Sequence, residues 1–323
     1  MLVVSVAALA SGCAGVQSAL QPAGREAVEV NQLFITVTVV SIIVTAVVLI
    51  ALALAMWGPE RWRSRLGKDW LIIGGGIVFP VIVLSALLAY GLVVMNAGAS
   101  RANRAEGQAI TITGKQWWWE VIYTTDDGKR VVSANELRLP VGKPVALHLK
   151  SSDVIHSFWA PRLAGKLDMI PGRTNTLTVE ATEAGISRGQ CAEYCGGAHA
   201  LMSFYVVAMP PAEFDAWLES EAEDATEPQG DLARRGQSHF MENGCGGCHT
   251  IRGTSATGMI GPDLTHLASR HSLGAATLPN NARMIARWIG EHQHIKPDNH
   301  MPPYENLSED ELFAISAYLE GLD

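Results

Sequence analysis

The sequence predicts a multi-domain fold: a two-helix transmembrane hairpin, then an all-β domain, then an all-α domain. Two uncharged apolar runs predict the hairpin, and short turn-separated segments rich in β-branched and aromatic residues predict the β domain. Apolar residues at helical spacing, after an acidic linker, predict the third domain. At 323 residues the chain is long enough for more than one hydrophobic core.

The first 30 residues have the character of a bacterial secretion signal. The stretch "MLVVSVAALASGC" is an apolar core followed by small residues and Cys13, which is similar to a lipoprotein cleavage site whose cysteine carries lipid. No Lys or Arg precedes the apolar stretch, and alanine stands where such sites usually have leucine. Lipidation of Cys13 is therefore a hypothesis, with an inert cysteine as its alternative.

The predicted hairpin covers residues 31–100. Its spans, about 33–57 and 71–95, carry no charge, and each is long enough to cross a hydrocarbon core of about 30 Å. The loop between them is basic, with Arg61, Arg63, Arg65 and Lys68. Because basic loops stay in the cytoplasm, we expect a multi-pass protein of the bacterial inner membrane with both termini on the outer, periplasmic side.

Residues 107–218 form the predicted β domain. Its strand-length segments are "AITITG", "QWWWEVIY", "ELRLP", "KPVALHLK", "NTLTVEA" and "SFYVVAM", each bounded by Gly, Pro, Asp or Asn. Many short strands with turn residues between them are typical of a sandwich or barrel.

An acidic linker at 219–230 leads to the predicted helical domain, residues 231–323. Its first helix carries Gly236 and Phe240 ahead of a cysteine pair. Its last helix begins at Ser308 with Glu311 three residues on, which is the sequence pattern of a capping box.

The segment "CGGCH", Cys245 to His249, has the chemistry of covalent haem attachment. In the C-x-x-C-H pattern Cys245 and Cys248 form thioethers with the porphyrin, and His249 is the proximal iron ligand. Redox dithiols and half zinc sites share the short string, but no second cysteine pair follows to complete a zinc site. We therefore predict a c-type haem.

The haem iron needs a sixth ligand, and Met301 is the preferred candidate. Prolines follow it directly, so the backbone there is held outside a helix and the thioether can be presented from a loop. The alternatives are Met259, Met284 and a second imidazole from His292, His294 or His300. Unless they bind iron, these histidines are expected to be solvated loop residues.

The segment "CAEYCGGAHALM" collects soft metal ligands in a chain with five cysteines. Thiolate, thioether and imidazole donors together suit copper. A mononuclear blue-copper site uses one cysteine, so Cys191 and Cys195 are better explained as bridges between two copper ions, with His199 and Met202 as further ligands. The missing imidazole is supplied by His156, which we expect at the end of the strand "KPVALHLK". A disulfide between the two cysteines is the alternative.

These residues carry a resemblance to a known family. The pattern C-x-E-x-C-x3-H-x2-M, the upstream "SSDVIHSFWAPRLAGKLDMIPGR", the aromatic "GKQWWWE" and the hairpin together resemble subunit II of haem-copper cytochrome c oxidase, with its dinuclear CuA centre. The resemblance covers about residues 25–218. The C-terminal domain resembles the class I cytochrome c fused to subunit II in some oxidases.

The resemblance implies a cupredoxin-like barrel with CuA ligation by a defined set of residues: His156, Cys191, Cys195, His199, Met202 and the backbone carbonyl of Glu193. It implies that the Glu193 side chain reaches a magnesium ion at the interface with subunit I. It also implies that electrons enter CuA through Trp117, although three adjacent tryptophans could instead simply cap the barrel.

As a member of this family the chain would be the electron-input subunit of the oxidase. The resemblance implies that electrons pass from a reduced cytochrome c-type donor through haem c and CuA to subunit I, where oxygen is reduced, and that no residue of this chain is a catalytic acid or base. The alternatives are the same module in a nitric oxide reductase and a membrane-tethered copper carrier. Lys115 stands where the family usually has histidine, and the second span lacks the glutamate that many members link to a proton path, so the resemblance assigns this subunit no role in proton transfer in either direction. The net charge of −8 argues against a nucleic-acid partner.

Overall fold

The computed structural model of the protein describes residues 14–102, 109–125 and 127–323, with the side chains of 97–102 left out of the description. The chain forms two compact units. One spans Glu26–Arg104, and the other joins the N-terminal segment up to Arg25 with Ala105–Asp323. Cys13, the predicted lipidation site, lies outside the described residues.

The smaller unit is helical and strongly apolar. Its helices are α1 (Arg25–Trp57), α2 (Glu60–Leu66), α3 (Asp69–Ile73) and α4 (Phe79–Ala102), with a π-helical turn at Gly74–Val78 between the last two. Two stretches, Arg25–Trp57 and Asp69–Asn96, have the length and composition to cross a membrane, and neither is buried within the protein. The wide turn contains three glycines and ends two residues before Pro80, which has no backbone N–H for regular α-helical hydrogen bonding.

The β domain consists of two five-stranded sheets. The first has the strand order β3-β2-β1-β5-β8 and the second the order β4-β10-β9-β6-β7. The strands are β1 (Ala109–Lys115), β2 (Trp118–Thr124), β3 (Arg130–Ala134), β4 (Glu136–Pro140), β5 (Val145–Ser151), β6 (His156–Trp159), β7 (Leu167–Met169), β8 (Asn175–Val179), β9 (Gly185–Cys191) and β10 (Ser203–Met209). The prediction of an all-β domain is confirmed.

Aromatic side chains fill the core between the sheets. Trp119 of β2 is 1% exposed and packs edge-on against Phe158 of β6 and Phe204 of β10, at ring distances of 6.2 and 5.1 Å. Such edge contacts are favoured because the positive rim of one ring meets the negative face of the next. This core fixes β6 and β9, the two strands that carry His156 and Cys191.

The N-terminal segment before α1 packs on the β domain. The backbone N–H of Arg188 donates to the Val16 carbonyl at 2.8 Å, and that of Thr182 donates to the Ala23 carbonyl at 2.9 Å. Arg25 then forms an ion pair with Glu180 at 2.9 Å. These contacts attach the segment to the larger unit.

The C-terminal part of the larger unit is helical, as predicted. Its helices are α5 (Pro211–Glu221), α6 (Gly230–Glu242), α7 (Ala282–Ile295) and α8 (Glu309–Glu320), with a short ribbon of β11 (Ser272–Leu273) and β12 (Leu278–Pro279). Helices α6 and α8 cross closely at Gly236, where a Cβ atom would lie 1.9 Å from the Ala314 carbonyl oxygen. The capping box of Ser308 and Glu311 is formed.

The helical domain docks against the β domain through buried polar contacts. The Glu136 carboxylate, 4% exposed, accepts hydrogen bonds from the His271 ring at 2.8 Å and from the His271 backbone N–H at 3.0 Å. Arg138 forms an ion pair with Glu136 at 2.7 Å and donates to the Ser269 carbonyl at 2.9 Å. The two domains therefore form one body around this contact.

Candidate metal centre and haem cavity

Three of the predicted copper ligands meet inside the β domain. Cys191 is the last residue of β9, Cys195 lies in the loop that follows, and His156 is the first residue of β6. Their ligand atoms all lie within 4.8 Å of one another, and all three residues are buried. Both cysteines are free thiols, so the alternative of a disulfide between them is not what the structure contains.

The remaining predicted ligands surround this cluster. The Cys195 sulfur lies 3.5 Å from His199 Nδ1 and 3.8 Å from the Met202 sulfur. The Cys191 sulfur lies 3.2 Å from the Glu193 carbonyl oxygen. The structure thus brings together every residue of the predicted copper site.

The His156 ring is fixed from both sides. Its Nε2 lies 2.7 Å from the Asp153 carboxylate, and its Nδ1 lies 3.8 Å from the Cys191 sulfur. A Cβ on Gly114 would lie 2.8 Å from this ring, so glycine is needed there for the imidazole to fit. Burial lowers the pKa of His156, but its hydrogen bonds to Cys191 and Asp153 outweigh burial and raise the pKa overall. An outer carboxylate that orients a metal-binding imidazole is common in metal sites.

The two thiols differ in acidity because they share one hydrogen bond. Cys191 accepts it from Cys195, and together with contacts to His156 and to backbone N–H groups this lowers the pKa of Cys191 to about 3. The same hydrogen bond and the nearby Cys191 charge raise the pKa of Cys195. Two sulfurs, two imidazoles, a thioether and a carbonyl oxygen form a donor set that fits soft metal ions such as copper.

A cavity of about 330 Å³ lies where the helical domain meets the β domain. Cys245, Cys248, His249 and Met301 all line it. His249 Nδ1 donates to the Pro262 carbonyl at 2.7 Å, which leaves Nε2 as the ring nitrogen available for iron. Burial lowers the pKa of His249, so the ring is kept in the neutral form that binds metals.

Among the candidate sixth ligands, Met301 is the methionine that lines this cavity. Met259 is 79% exposed, and Met284 lies on α7 outside the cavity lining. The Met301 backbone is held by His292, whose Nε2 donates to the Met301 carbonyl at 2.9 Å. The expectation that His292 is a solvated loop residue is wrong: it lies in α7 and is 1% exposed, because its ring is needed to fix this loop.

Arg270 offers the cavity a charged group that the protein itself leaves partly unpartnered. The side chain is 7% exposed, lines the cavity and donates through Nη2 to the Asp263 carbonyl at 2.6 Å. Its buried Nε has no hydrogen-bond partner among the described residues. An anionic group of a ligand, such as a haem propionate, would satisfy it, so the cavity fits a haem by charge as well as by its thiol and imidazole groups.

Trp117 lies between the cavity and the copper-type cluster. It is 7% exposed, lines the cavity and donates through its indole N–H to the Cys195 carbonyl at 2.9 Å. Its ring lies 5.5 Å from that of His300, the residue before Met301. The adjacent tryptophans occupy different environments: Trp117 lines the cavity, whereas Trp119 lies in the core of the β domain.

Sequence reasoning missed several residues that shape these sites. Asp153 could have been found, since an acidic residue three positions before a candidate metal-binding histidine is a recognisable pattern. Lys296 and Arg270 could not, because nothing in their local sequence indicates that they are buried. His156 was expected at the end of β5, whereas it begins a strand of its own.

The β-sandwich with its thiolate, imidazole and thioether cluster, joined to a helical domain with a C-x-x-C-H cavity, defines a class of copper- and haem-binding electron-transfer proteins. Residues 124–209 match the family "Cytochrome C oxidase subunit II, periplasmic domain", and residues 233–323 match the family "Cytochrome c". The chain belongs to the cytochrome c oxidase subunit II family.

Its relatives extend over nearly the whole chain. Cytochrome c oxidase subunit 2 of Alkalihalophilus pseudofirmus is 34% identical over 331 residues, which cover 97% of this chain and 93% of that protein. The Bacillus subtilis protein of the same name is 30% identical, covering 100% of this chain and 96% of its own length. The crystal structure of the periplasmic domain of subunit II of the Bradyrhizobium japonicum cytochrome oxidase is 32% identical, with a TM-score of 0.33, covering 35% of this chain and 92% of that one.

Membership of this family confirms the predicted fold class and has direct consequences for function. The subunit II domain implies a CuA centre, and the cytochrome c domain implies a haem. The chain is a subunit of an oxidoreductase complex and associates with other oxidase subunits. Its two apolar helices indicate membrane anchoring, and the match to a periplasmic domain puts the β domain on the outer side.

Proposed function

We propose that this chain receives electrons from a reduced cytochrome c-type donor and delivers them, by way of haem c and CuA, to subunit I of a respiratory oxidase. The bound haem and copper supply one-electron chemistry, which no amino-acid side chain offers. The observation that carries the proposal is the buried, unbridged cysteine pair within 4.8 Å of His156, in a domain that also walls the cavity of the C-x-x-C-H segment.

In this proposal the protein holds a dinuclear copper centre. Cys191 and Cys195 would hold the ions together with His156, His199, Met202 and the Glu193 carbonyl. Asp153 keeps the His156 ring oriented, which is supported by their 2.7 Å contact. Burial of both cysteines keeps water from the sulfurs.

The helical domain holds a covalently attached haem in the same proposal. Cys245 and Cys248 would attach the haem through thioethers, and His249 and Met301 would bind its iron. A thioether opposite the imidazole raises the reduction potential relative to two imidazoles. The Pro262 carbonyl orients His249 by accepting from its Nδ1.

Trp117 is proposed to pass electrons to the copper centre. The proposal is supported by its contact with the cavity on one side and its 2.9 Å hydrogen bond to the Cys195 carbonyl on the other. Because Trp117 is only 7% exposed, electrons reach it from the cytochrome domain of the same chain and the external donor docks on that domain.

We call the segment 191–202, which carries most of the proposed copper ligands, the copper loop. Its outer face is proposed to contact subunit I. Glu193 is the candidate magnesium ligand there, and its side chain is 45% exposed and lies 3.8 Å from Lys166. The basic loop between the apolar helices remains the reason to propose two membrane spans with both termini outside. The domain limits and the lipidation of Cys13 remain proposals from the sequence.

Copper analysis and electron paramagnetic resonance of the purified complex test the copper site. The expected signal is that of one unpaired electron shared equally by two copper nuclei. In Cys191→Ser the hyperfine pattern should become that of a single copper nucleus. A single-nucleus signal in the unaltered protein would refute the dinuclear centre.

Two further measurements test the haem site and the reaction. Haem should remain attached to the chain on denaturing electrophoresis, and Met301→Ala should abolish the thioether–iron band at the red edge of the oxidised spectrum. Oxygen consumption by the complex, compared with nitric oxide consumption, identifies the reaction of the partner. A copper carrier would have exchangeable copper and no haem.

A further inference from the structure

Lys296 is a buried cation that the proposed function does not use. It follows α7 directly and is 3% exposed. In the described part of the chain no carboxylate lies within ion-pair distance of its amine. An isolated buried charge is costly, so its partners require explanation.

The amine of Lys296 donates to three backbone carbonyls. The acceptors are Trp117 at 2.6 Å, Leu201 at 2.9 Å and Gly274 at 3.0 Å. An ammonium group has three N–H donors and a neutral amine has two, so three acceptors match the charged form. Burial lowers the pKa of Lys296, and the three carbonyl acceptors oppose this effect because they stabilise the charged form.

The three acceptors belong to the two sides of the domain contact. Trp117 directly precedes β2 and is hydrogen-bonded to the copper loop. Leu201 ends the short 3₁₀ turn His199–Leu201 and is followed by Met202. Gly274, in contrast, follows β11 of the cytochrome domain. One side chain therefore joins the electron-accepting tryptophan and the copper loop to the haem side.

Lys296 begins a turn, residues 296–301, that ends at the proposed haem ligand. The Asn299 amide donates to the Lys296 carbonyl at 2.7 Å and to the His292 carbonyl at 3.2 Å. His292 in turn donates to the Met301 carbonyl at 2.9 Å. These hydrogen bonds link Lys296 to Met301 within one turn.

The same turn contacts the copper loop at a second point. A Cβ on Gly197 would lie 2.1 Å from the Asp298 carboxylate, so the turn approaches the backbone of the loop closely at this point. Gly197 lies between two proposed ligands, Cys195 and His199. The turn thus touches the copper loop both before and after His199.

We propose that Lys296 is a positioning residue for electron transfer within the chain: its ammonium group holds Trp117 and the copper loop against the turn that carries Met301. The inference rests on the proposed function. The transfer that it serves moves one electron from haem iron to the copper pair, with no proton. The same positive charge, hydrogen-bonded to the Leu201 carbonyl beside Met202, would favour the reduced copper centre, whose net charge is lower by one.

The test uses the full-length subunit in its complex, with Lys296→Met and the control Lys129→Met. Lys129 donates to a single backbone carbonyl, that of Ala222 at 3.2 Å, and it is exposed. After rapid photochemical reduction of the haem, Lys296→Met is expected to pass the electron to copper about tenfold more slowly, the scale on which residues that couple two sites act. The midpoint potential of the copper centre should fall in the same variant, and the control should change neither quantity.

Retention of haem and of the copper resonance signal shows that the variant is folded. If Lys296→Met loses either cofactor, Lys296→Gln, which keeps two N–H donors, replaces it. The same two quantities, the transfer rate and the copper midpoint potential, are then measured in Lys296→Gln. A normal transfer rate and a normal copper potential in the folded variant overturn the role of Lys296. Absence of haem or copper signals from the unaltered protein overturns the proposed function itself, and these two failures are distinct.

Discussion

The buried Glu136 should control how firmly the two outer domains are docked, and Glu136→Gln tests this. The carboxylate is 4% exposed and bonded on one side to Arg138 and on the other to the ring and backbone of His271. Removing one partner of a buried ion pair costs about 3–5 kcal/mol because the other charge stays buried and unpaired. Arg138 retains its hydrogen bond to Ser269 and its position 4.8 Å over the Trp217 ring. We therefore expect the domain contact to lose stability at the lower end of this range, about 3 kcal/mol.

Hydrogen–deuterium exchange measures this loss locally. The His271 amide donates to Glu136, so peptides that contain it report directly on opening of the domain contact. A loss of about 3 kcal/mol corresponds to exchange on the order of 100-fold faster, since each tenfold change equals about 1.4 kcal/mol. Glu183→Gln is the control, because Glu183 pairs with Arg162 at 3.2 Å but its side chain is 59% exposed. Equal protection of the His271 peptides from exchange in Glu136→Gln and Glu183→Gln would refute this role of Glu136.

The same contact should depend on pH with a defined sign. The hydrogen bond to Glu136 raises the pKa of His271 above its ordinary 6.5, against the effect of burial, so this stabilisation is complete below pH 6.5 and is lost as pH rises through the raised value. Burial raises the pKa of Glu136, but His271 and Arg138 together outweigh it and lower the pKa below 4.5, so that stabilisation is lost as pH falls through the lowered value. Exchange of the His271 peptides, corrected for its intrinsic pH dependence, should therefore be slowest between about pH 4.5 and 6.5.

Three further substitutions have definite expected outcomes. Asp153→Ala should weaken copper binding about 10- to 100-fold in chelator competition, because the His156 ring loses its orienting carboxylate, and unchanged affinity would contradict that role. Gly261→Ala puts a Cβ 2.5 Å from the His249 ring, so the low-spin haem spectrum should be lost while the haem stays attached. Gly236→Ala, with its Cβ 1.9 Å from a carbonyl of α8, should lower the unfolding temperature of the cytochrome domain, with a destabilisation of about 1–3 kcal/mol; calorimetry of the full-length subunit measures it.

The candidate cofactor-binding residues were largely predictable because their chemistry is rare and their spacing is short. Cys191, Cys195, His199 and Met202 fall within one segment of the sequence, and the structure brings them together with His156. The strands were harder to find. Strands β3, β6, β7 and β9 were not among the predicted segments, because "RGQC" in β9 and "HSFW" in β6 lack the alternating β-branched pattern.

Residues that act between domains were not predictable, since the sequence does not say which surfaces meet. Lys296 follows a helix and resembles any solvated lysine, yet three carbonyls from distant segments surround its amine. His292 was expected in solvent for the same reason, and it is buried against the Met301 loop. Glu136 and His271 are 135 residues apart, and only the docking of the domains makes them partners.

On the proposed route from an external donor through the cytochrome domain to Trp117, the burial of this residue at the domain contact affects how the oxidase responds to its surroundings. A mobile carrier would have to find this indole by diffusion, at a rate that falls with dilution and changes with ionic strength. Here the neighbouring domain is part of the same chain and covers the indole to 7% exposure, so the local concentration of the electron supplier is constant. Salt and dilution can then act on the first encounter with the external donor, and the step at Trp117 is independent of both.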